Sequence, residues 1–323
     1  MKRVYIYLLG VLSLLFAITP AQAQSQRLDS LLRVSDAIGA KQRAIVDEMM
    51  KNYEEMRACK TNEQVLAKLA ERQAMDKRAE KLSAEARRVE EEVRVERARL
   101  ELIERDDKLV KKHGGNIDAL RGTLNGYDWV DLGLPSGTKW ATCNVGAQKP
   151  HQGGAYFAFG EIKPRKNFNE YTWKHYKYTD KVLGNIGGNP KYDAATANMG
   201  EGWQMPSREQ WLELQEHCDW NYTIQEGIYG SLYVSRINSN YIFLPCAGYT
   251  HDDTGKLVNT KWNGAYWSCE SSGTTSAFGL LFNYEVVYAE GGGFTCSAHS
   301  VRAVCAATNG TANGALNADG GVK

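Results

Sequence analysis

The chain has two regions that differ in the spacing of their hydrophobic residues, and the first region follows a helical period. Residues 26–112 contain no proline, one glycine and a dense alternation of charges. Apolar residues recur there every three or four positions, as they do on one face of an α-helix. This stripe comprises Met75, Ala79, Leu82, Ala86, Val89, Val93, Leu100, Ile103 and Val110. Glu96 and Asp107 interrupt it. We predict a long helix that needs a partner, because it cannot bury the stripe alone.

An earlier set of apolar positions predicts a second helix in the same region. Its members are Leu28, Leu31, Ile38, Ile45, Met49 and Met56. Thr61 and Gln64 have the spacing of a capping box, which indicates that one helix ends and another begins there. The helices either fold back as an antiparallel hairpin or extend and pair between chains, and Ala79 and Ala86 allow a close approach in both arrangements. We favour the second arrangement, a coiled-coil homo-oligomer over residues 24–113.

Beyond about residue 126 the hydrophobic residues come in short runs. The segment "HGG" at residues 113–115 is typical of a helix end, and we interpret residues 114–125 as a linker. All eight tryptophans follow this linker. Runs such as "YIFLPCAGY" and "FGLLFNYEVVYA" alternate there with Gly, Asn and Asp. This pattern predicts short strands and long loops over residues 126–305.

Local patterns refine this second region. "PSREQWLELQEHC" predicts a helix that Ser207 caps and that buries Trp211, Leu212 and Leu214. Within "GAYWS", Tyr266 and its neighbour Trp267 are expected on opposite faces of a strand. After Cys305, residues 306–323 are small and polar without a period, which predicts a disordered tail.

Arg302 lies in "SVRAV", where it alternates with apolar residues. A charged side chain on the apolar face of a strand requires a partner. We expect an internal carboxylate such as Glu161 to pair with it.

Composition and charge exclude two classes of protein. The chain has 323 residues, of which 43% are hydrophobic and 24% charged, with a formal net charge of +1. A nucleic-acid-binding protein normally shows a basic surplus, so we expect no nucleic-acid partner. The mean hydropathy of −0.47 excludes a polytopic membrane protein.

The first residues indicate export. Lys2 and Arg3 precede an apolar run up to Ile18, and the small-residue stretch "AQA" at residues 21–23 follows. This order is typical of a secretory signal peptide, which we assign to residues 1–23, with an uncleaved anchor as the alternative. No cysteine follows the cleavage site, so we do not expect a lipoprotein. The mature protein is expected in the periplasm, at the cell surface or outside the cell.

The chain has seven cysteines, and export would allow them to form disulfides, because an oxidising compartment permits these bonds. Six of them follow residue 126. The pairing of six cysteines cannot be read from a sequence, and several buried free thiols are an equal alternative. The chain contains no C-x-x-C motif, so neither a zinc ribbon nor a thioredoxin-type site is indicated.

Six blocks of the second region are recognisable in their order. They are "WVDLGLPSGTKWATCNVGA", "GGAYFAFGEIKP", "YDAATANMGEGWQMPSREQWLEL", "IFLPCAGY", "GAYWSCESS" and "SVRAVC". Together they closely resemble the Fibrobacter succinogenes major paralogous domain, a family common in exported proteins of gut bacteria. The resemblance covers residues 126–305 and not the helical region.

This resemblance implies an α+β fold: a C-type lectin-like domain that follows a long α-helical coiled coil or helical hairpin. The branch is shared with formylglycine-generating sulfatase-modifying enzymes and with variable proteins diversified by retroelements. In such a scaffold "LGLPSGTKW" forms a strand, a turn and a second strand. Cys143 is then a disulfide candidate, with Cys218 as its candidate partner.

The sequence offers little chemistry that would make the chain an enzyme. Cys296 and Cys305 are candidates for a sulfatase-modifying pair, but their surroundings do not reproduce the pattern expected for it, so a disulfide or two separate thiols is the better interpretation. "HDD" at residues 251–253 is interpreted as a hairpin tip and not as a metal site. No lectin calcium tripeptide, catalytic triad or P-loop is present. We therefore expect no catalytic residue, metal or cofactor.

The remaining candidate is a surface between Ser268 and His299 that is rich in Ser, Thr, Tyr, Asn and Gly. Such residues supply contact area and adaptable hydrogen bonds, and family analogy places ligand-facing residues here. The candidates are Tyr266, Glu270, Ser272, Asn283, Tyr284, Tyr288, Thr295 and His299. We expect a non-enzymatic binding or adhesion module for a glycan or protein, in which an oligomerising stalk carries a lectin-like head. A retroelement-diversified variable protein is a special case. A structural envelope protein and a sulfatase-modifying enzyme are the alternatives.

Overall fold

A computed structural model of the protein describes residues 20–164, 168, 182–250 and 254–306. The chain forms two compact units. The first unit ends at Asp107 and the second begins at Lys108. The first unit is helical, and the second combines short helices with antiparallel sheets. The mixed helix-and-sheet class expected from the sequence is therefore confirmed.

Two long helices dominate the N-terminal region: α1, Pro20–Arg57, and α2, Asn62–Lys112. The capping box between them is present as predicted. The Gln64 amide donates to Thr61 Oγ1 at 3.3 Å, and Gln64 Oε1 accepts from the Thr61 amide at 3.3 Å. The second helix ends where the glycines were expected to end it, since Gly114 and Gly115 have φ angles of 64° and 89°.

Within the first unit the two helices pack as an antiparallel hairpin. Arg78 donates to Glu48 at 2.9 Å near the turn, and Arg27 lies 3.5 Å from Glu96 farther along. The seam between the helices buries Ile38, Ile45, Leu82, Val89 and Val93. The hairpin therefore buries the part of the predicted stripe at Leu82, Val89 and Val93, because the turn of residues 58–61 brings the two helices together within one chain. The pairing between chains that the sequence favours stays a prediction.

The second unit contains thirteen strands among its described residues. They are β1 Arg121–Leu124, β2 Tyr127–Asp131, β3 Lys139–Asn144, β4 Trp203–Gln204, β5 Cys218–Gln225, β6 Ile228–Ser235, β7 Tyr241–Pro245, β8 Tyr249–Thr250, β9 Leu257–Val258, β10 Gly264–Ser271, β11 Ser276–Phe282, β12 Val287–Phe294 and β13 Arg302–Cys305. The largest sheet has the order β1-β2-β3-β13-β4, and two three-stranded sheets have the orders β5-β6-β7 and β10-β11-β12. Strand β1 lies inside residues 114–125, so the segment predicted to be a linker already belongs to a sheet.

Two helices belong to the second unit, α3 Ala194–Met199 and α4 Arg208–His217. Ser207 caps α4 through a complete capping box with Gln210, as the sequence predicted. Trp211 and Leu214 are buried, but Leu212 is 36% exposed and its predicted burial is wrong. Residues 211 and 214 share one face of a helix, whereas residue 212 is turned about 100° away from it.

Two hydrophobic clusters form the core of this unit, one on each side of the central strands. Trp140, Tyr266 and Val304 belong to the first cluster, and their chain neighbours Ala141, Trp267 and Ala303 to the second. Successive side chains of a strand point to opposite faces, so strands β3, β10 and β13 are buried on both. The expected opposite placement of Tyr266 and Trp267 is confirmed.

The buried charge of Arg302 is held by oxygen atoms and not by a carboxylate. Its acceptors are Asn144 Oδ1 at 2.8 Å and the carbonyl oxygens of Ala141, Thr142 and Phe243 at 3.0, 2.8 and 2.9 Å. The expected pairing with Glu161 is therefore wrong. The planar guanidinium donates to several carbonyl oxygens at once, and these oxygens, on β3 and β7, accept its N–H groups.

None of the seven cysteines is in a disulfide, so the candidate bond between Cys143 and Cys218 is not formed. Cys143 lies on β3 in the five-stranded sheet, whereas Cys218 starts β5 and packs in the first cluster. Cys296 and Cys305 form no disulfide with each other either.

Candidate functional site

A cavity of about 590 Å³ opens along β11 and β12 on the face where the sequence placed its candidates. We call it the β12 cavity. Three glycines of β12, Gly291, Gly292 and Gly293, line it together with Phe278, Leu281 and Phe294. Strand β12 therefore contributes mostly backbone, and the neighbouring strand and the strand end contribute apolar side chains.

Two of these glycines are required by close approaches. A Cβ atom at Gly292 would lie 2.1 Å from the carbonyl oxygen of Ala277 on β11. A Cβ atom at Gly293 would lie 2.8 Å from Cε1 of His299. The strand therefore packs against β11 and against the imidazole at distances that a side chain would not allow.

His299 is a buried polar group of the cavity wall. The residue is only 3% exposed, and its ring stacks on Trp267 with centroids 3.8 Å apart and planes 20° apart. Backbone hydrogen bonds with Phe157 of 3.1 Å in both directions fix its position. Its Nδ1 atom has no hydrogen-bond partner among the described residues. Burial lowers the pKa of His299 to about 3, so the imidazole is neutral at physiological pH.

An ion pair lies at the edge of the cavity, where Glu290 belongs to the lining. Arg208 at the start of α4 pairs with Glu290 on β12, and the guanidinium lies 5.0 Å above the ring centroid of Phe278. Both side chains are partly exposed, at 38% and 50%. The two charges neutralise each other. The cavity thus combines apolar side chains with a few neutral polar ones, of which Ser297 and His299 are both 3% exposed.

The structure brings together two of the predicted site residues and buries two others. Ser272 and His299 line the β12 cavity. Tyr266 is fully buried, where its hydroxyl donates to the Pro245 carbonyl at 2.7 Å. Thr295 is 2% exposed. The ligand-facing role expected for Tyr266 and Thr295 does not fit these positions, because strand β10 is buried on both faces and Thr295 packs below the end of β12.

Four predicted residues lie outside the cavity lining. Glu270 accepts the backbone amide of Arg208 at 2.7 Å and so holds the start of α4. Asn283 Oδ1 accepts two backbone amides in the turn after β11. Tyr284 and Tyr288 are exposed. These residues support the same face but do not contact a common ligand space.

We did not predict from the sequence that the three glycines of β12 and the side chains of Phe278 and Phe294 line the cavity. The signal was present in "AEGGGF", because three consecutive glycines within a strand mark a close backbone approach. Phe278 and Phe294 carried no such signal, since an aromatic residue on a strand is more often part of a core.

Two kinds of feature are absent from the described residues: a cluster of metal-ligating side chains and an apolar helix of membrane-spanning length. No group of three or more His, Cys, Asp or Glu side chains is arranged to hold a metal ion there. "HDD" at residues 251–253 lies outside the described residues. No described helix has the length and apolar character of a membrane span.

Comparison of the chain with protein-family models, with curated proteins and with solved structures gives no match in any of the three.

Proposed function

We propose that the second unit is a non-enzymatic ligand-binding domain of an exported protein and that its ligand occupies the β12 cavity. In this proposal the domain has the C-type lectin-like fold of the Fibrobacter succinogenes major paralogous domain, which its sequence blocks resemble. The N-terminal helices serve as an oligomerising stalk, which raises the effective strength of a weak site through avidity.

The observation that carries the proposal is the composition of the cavity. Its volume of about 590 Å³ is in the range of small-ligand sites. Phe278, Leu281 and Phe294 supply apolar surface, and the neutral His299 is one of the few buried polar groups that can fix the orientation of a ligand. The backbone of the three glycines allows a ligand to lie close to the strand.

The groups in and near the cavity favour binding over catalysis. A histidine with a pKa of about 3 is too weak a base to activate a hydroxyl or a thiol at neutral pH. Burial raises the pKa of Cys305 to about 11, which leaves little thiolate for the sulfatase-modifying alternative.

The test fills the cavity without disturbing its floor. Ser272 is exposed and lines the cavity, so Ser272→Trp should occupy its mouth, whereas Gln148→Trp places the same side chain on an exposed loop elsewhere. The purified full chain is applied to arrays of glycans and of bacterial surface proteins. We expect at least one ligand whose binding Ser272→Trp weakens and Gln148→Trp leaves unchanged.

Two results would contradict the proposal. One is a chain that binds nothing on either array in both monovalent and multivalent presentation. The other is binding that both tryptophan variants retain equally. Either result favours the structural envelope protein, in which the second unit has no ligand.

A further inference from the structure

Four aromatic side chains form a connected row on the second unit, outside the lining of the β12 cavity. The contacts run from Trp262 to Tyr229, then to Tyr222 and then to Tyr284. The successive ring centroids are 6.1, 5.7 and 6.4 Å apart. The first two pairs are nearly parallel, with interplanar angles of 24° and 18°. We call these four side chains the aromatic row.

The strands fix the middle of the row. Tyr222 on β5 lies opposite Ser231 on β6, two residues from Tyr229. The two tyrosines are therefore diagonal neighbours on one face of the β5–β6 pair, within reach of each other's rings. Both are half-buried against the first core cluster. Their positions do not depend on a ligand.

The two ends of the row are also held in place. The Tyr222 hydroxyl donates to the Lys261 carbonyl at 3.0 Å, next to Trp262. The Trp262 amide donates to the Asn259 carbonyl at 3.0 Å and closes a turn there. At the other end, Tyr284 is in the turn that Asn283 caps with two hydrogen bonds.

The outer rings are exposed to an unusual degree for their size. Trp262 is 55% exposed and Tyr284 is 60% exposed. Centroids about 6 Å apart are well beyond the roughly 3.5 Å at which two flat rings touch face to face, so the parallel rings are displaced sideways and part of each face stays uncovered. Two exposed rings joined by a half-buried pair are a candidate binding surface.

We propose that the aromatic row binds a neutral polysaccharide whose sugar rings stack on it. The face of an aromatic ring is negative, and the axial face of a pyranose presents a set of weakly positive C–H bonds that fit against it. The three nearly parallel rings, Trp262, Tyr229 and Tyr222, are 6.1 and 5.7 Å apart, of the order of one hexose unit, so successive sugars meet successive rings. Tyr284, whose ring is turned 71° to that of Tyr222, flanks the end of the row. This site is additional to the β12 cavity and does not rest on the function proposed for it.

The surroundings favour a sugar over an apolar protein segment. The exposed residues beside the row, Glu226, Lys261 and Glu285, carry both signs of charge and suit a neutral ligand with many hydroxyls. Glu285, the next residue in the chain, raises the pKa of the exposed Tyr284 hydroxyl, so this hydroxyl stays protonated and can hydrogen-bond to a sugar. A single file of rings fits a linear polymer better than the broad patch that a protein contact needs.

The experiment measures binding of the full chain to five neutral polysaccharides: cellulose, xylan, mannan, chitin and β-1,3-glucan. We expect binding to at least one of them. Trp262→Ala should weaken that binding at least about tenfold, because it removes the largest exposed ring of the row. Trp262→Tyr keeps a ring and should retain most of it. Tyr127→Ala removes a tyrosine that is 39% exposed elsewhere and should have no effect.

Several outcomes would overturn the aromatic-row proposal. They are no binding to any of the five polysaccharides, unchanged binding by Trp262→Ala, or equal losses in Trp262→Ala and Tyr127→Ala. A change of oligomeric state on Trp262→Ala without a change in polysaccharide binding would make the row a protein contact. The cavity variant Ser272→Trp separates the two sites. If Ser272→Trp abolishes polysaccharide binding and Trp262→Ala does not, the polysaccharide binds in the cavity and not on the row. Thermal unfolding of each variant confirms that it is folded.

Discussion

His299 shows how a residue of ordinary chemistry is changed by its position. Stacking on Trp267 and the glycine strand at its edge remove nearly all of its contact with water. No carboxylate pairs with it among the described residues, so burial alone acts on its pKa and lowers it to about 3. The side chain is therefore a buried hydrogen-bonding group without charge in the cavity wall.

A consequence is that the second unit should lose stability in mild acid. The unfolded histidine binds a proton at about pH 6.5, whereas the folded one resists protonation down to about pH 3. The unfolded state therefore takes up the proton first, and the stability that is full above pH 6.5 falls as the pH drops. At about pH 5 this linkage amounts to about 2 kcal/mol. Urea unfolding followed by tryptophan fluorescence measures it, since all eight tryptophans are in the second unit.

The matched variant is His299→Gln, which is neutral at every pH. Its unfolding free energy should vary less between about pH 7.5 and about pH 5 than that of the natural chain, by about the same 2 kcal/mol. Equal pH dependence of the two proteins would show that His299 does not cause the effect.

Individual site residues were only partly predictable. Ser272 and His299 were found because the composition of their segment indicated an accessible surface. Tyr266 was predicted to face a ligand but is buried, for a physical reason. A strand buried on both faces has apolar residues at successive positions, and a tyrosine in such a strand cannot be distinguished by sequence from a tyrosine on a binding surface. Trp262 and Tyr229 were missed because the row forms only when separate strands bring its rings together.

At the scale of elements, the helical hairpin buries one charged side chain, Glu96, that is poorly paired. Glu96 interrupts the apolar stripe of α2, and its side chain is 2% exposed. One carboxylate oxygen has no hydrogen-bond partner among the described residues, and the other lies 3.5 Å from Arg27, which is 58% exposed. The attraction to a solvated arginine at that distance does not offset the cost of removing a carboxylate from water.

We therefore expect Glu96→Leu to stabilise the hairpin by about 1–3 kcal/mol, because leucine completes the stripe and leaves Arg27 in water. Urea unfolding followed by the helical circular dichroism signal, to which α1 and α2 contribute most, measures this change. Glu90→Leu, at an exposed position on the same helix, is the control and should change stability by less than about 0.5 kcal/mol. A lower stability of Glu96→Leu would mean that the carboxylate has a partner or a function that outweighs its burial.

Element boundaries were predicted best where a local signal determines them. The caps at Thr61 and Ser207 follow from side-chain hydrogen bonds within four residues, and both are present. The partner of the helical stripe was not predictable in this way, because the same spacing suits pairing within one chain or between chains. Strand β1 escaped notice because "RGTL" is short and polar, and it is a strand only through its pairing with β2.

Across the whole molecule, the seven cysteines, none of which is in a disulfide, lead to a prediction about thiol reactivity. Burial raises the pKa of Cys218 and Cys269 to about 12 and that of Cys246 and Cys305 to about 11. These four thiols should react slowly with iodoacetamide while the protein is folded, because the thiolate is the reactive form. The half-buried Cys59, Cys143 and Cys296 should react first.

Mass spectrometry after alkylation provides the measurement. The protein denatured without a reductant should take up seven labels, and the folded protein should take up about three in the same time. Fewer than seven labels on the denatured chain would reveal disulfides, and peptide mapping would show whether Cys143 and Cys218 form one of them.

The position of strand β13 sets the order in which the second unit is able to fold. This strand, the last described element of the chain, lies between β3 and β4 in the largest sheet and carries Arg302 into the core. During synthesis one edge of β3 therefore stays open until the chain is almost complete, because its partner on that edge is more than 150 residues away. Contacts of such sequence separation form late. A ribosome that stops short of residue 302 releases a chain with open strand edges and with carbonyls that no guanidinium satisfies, a substrate for proteases and chaperones.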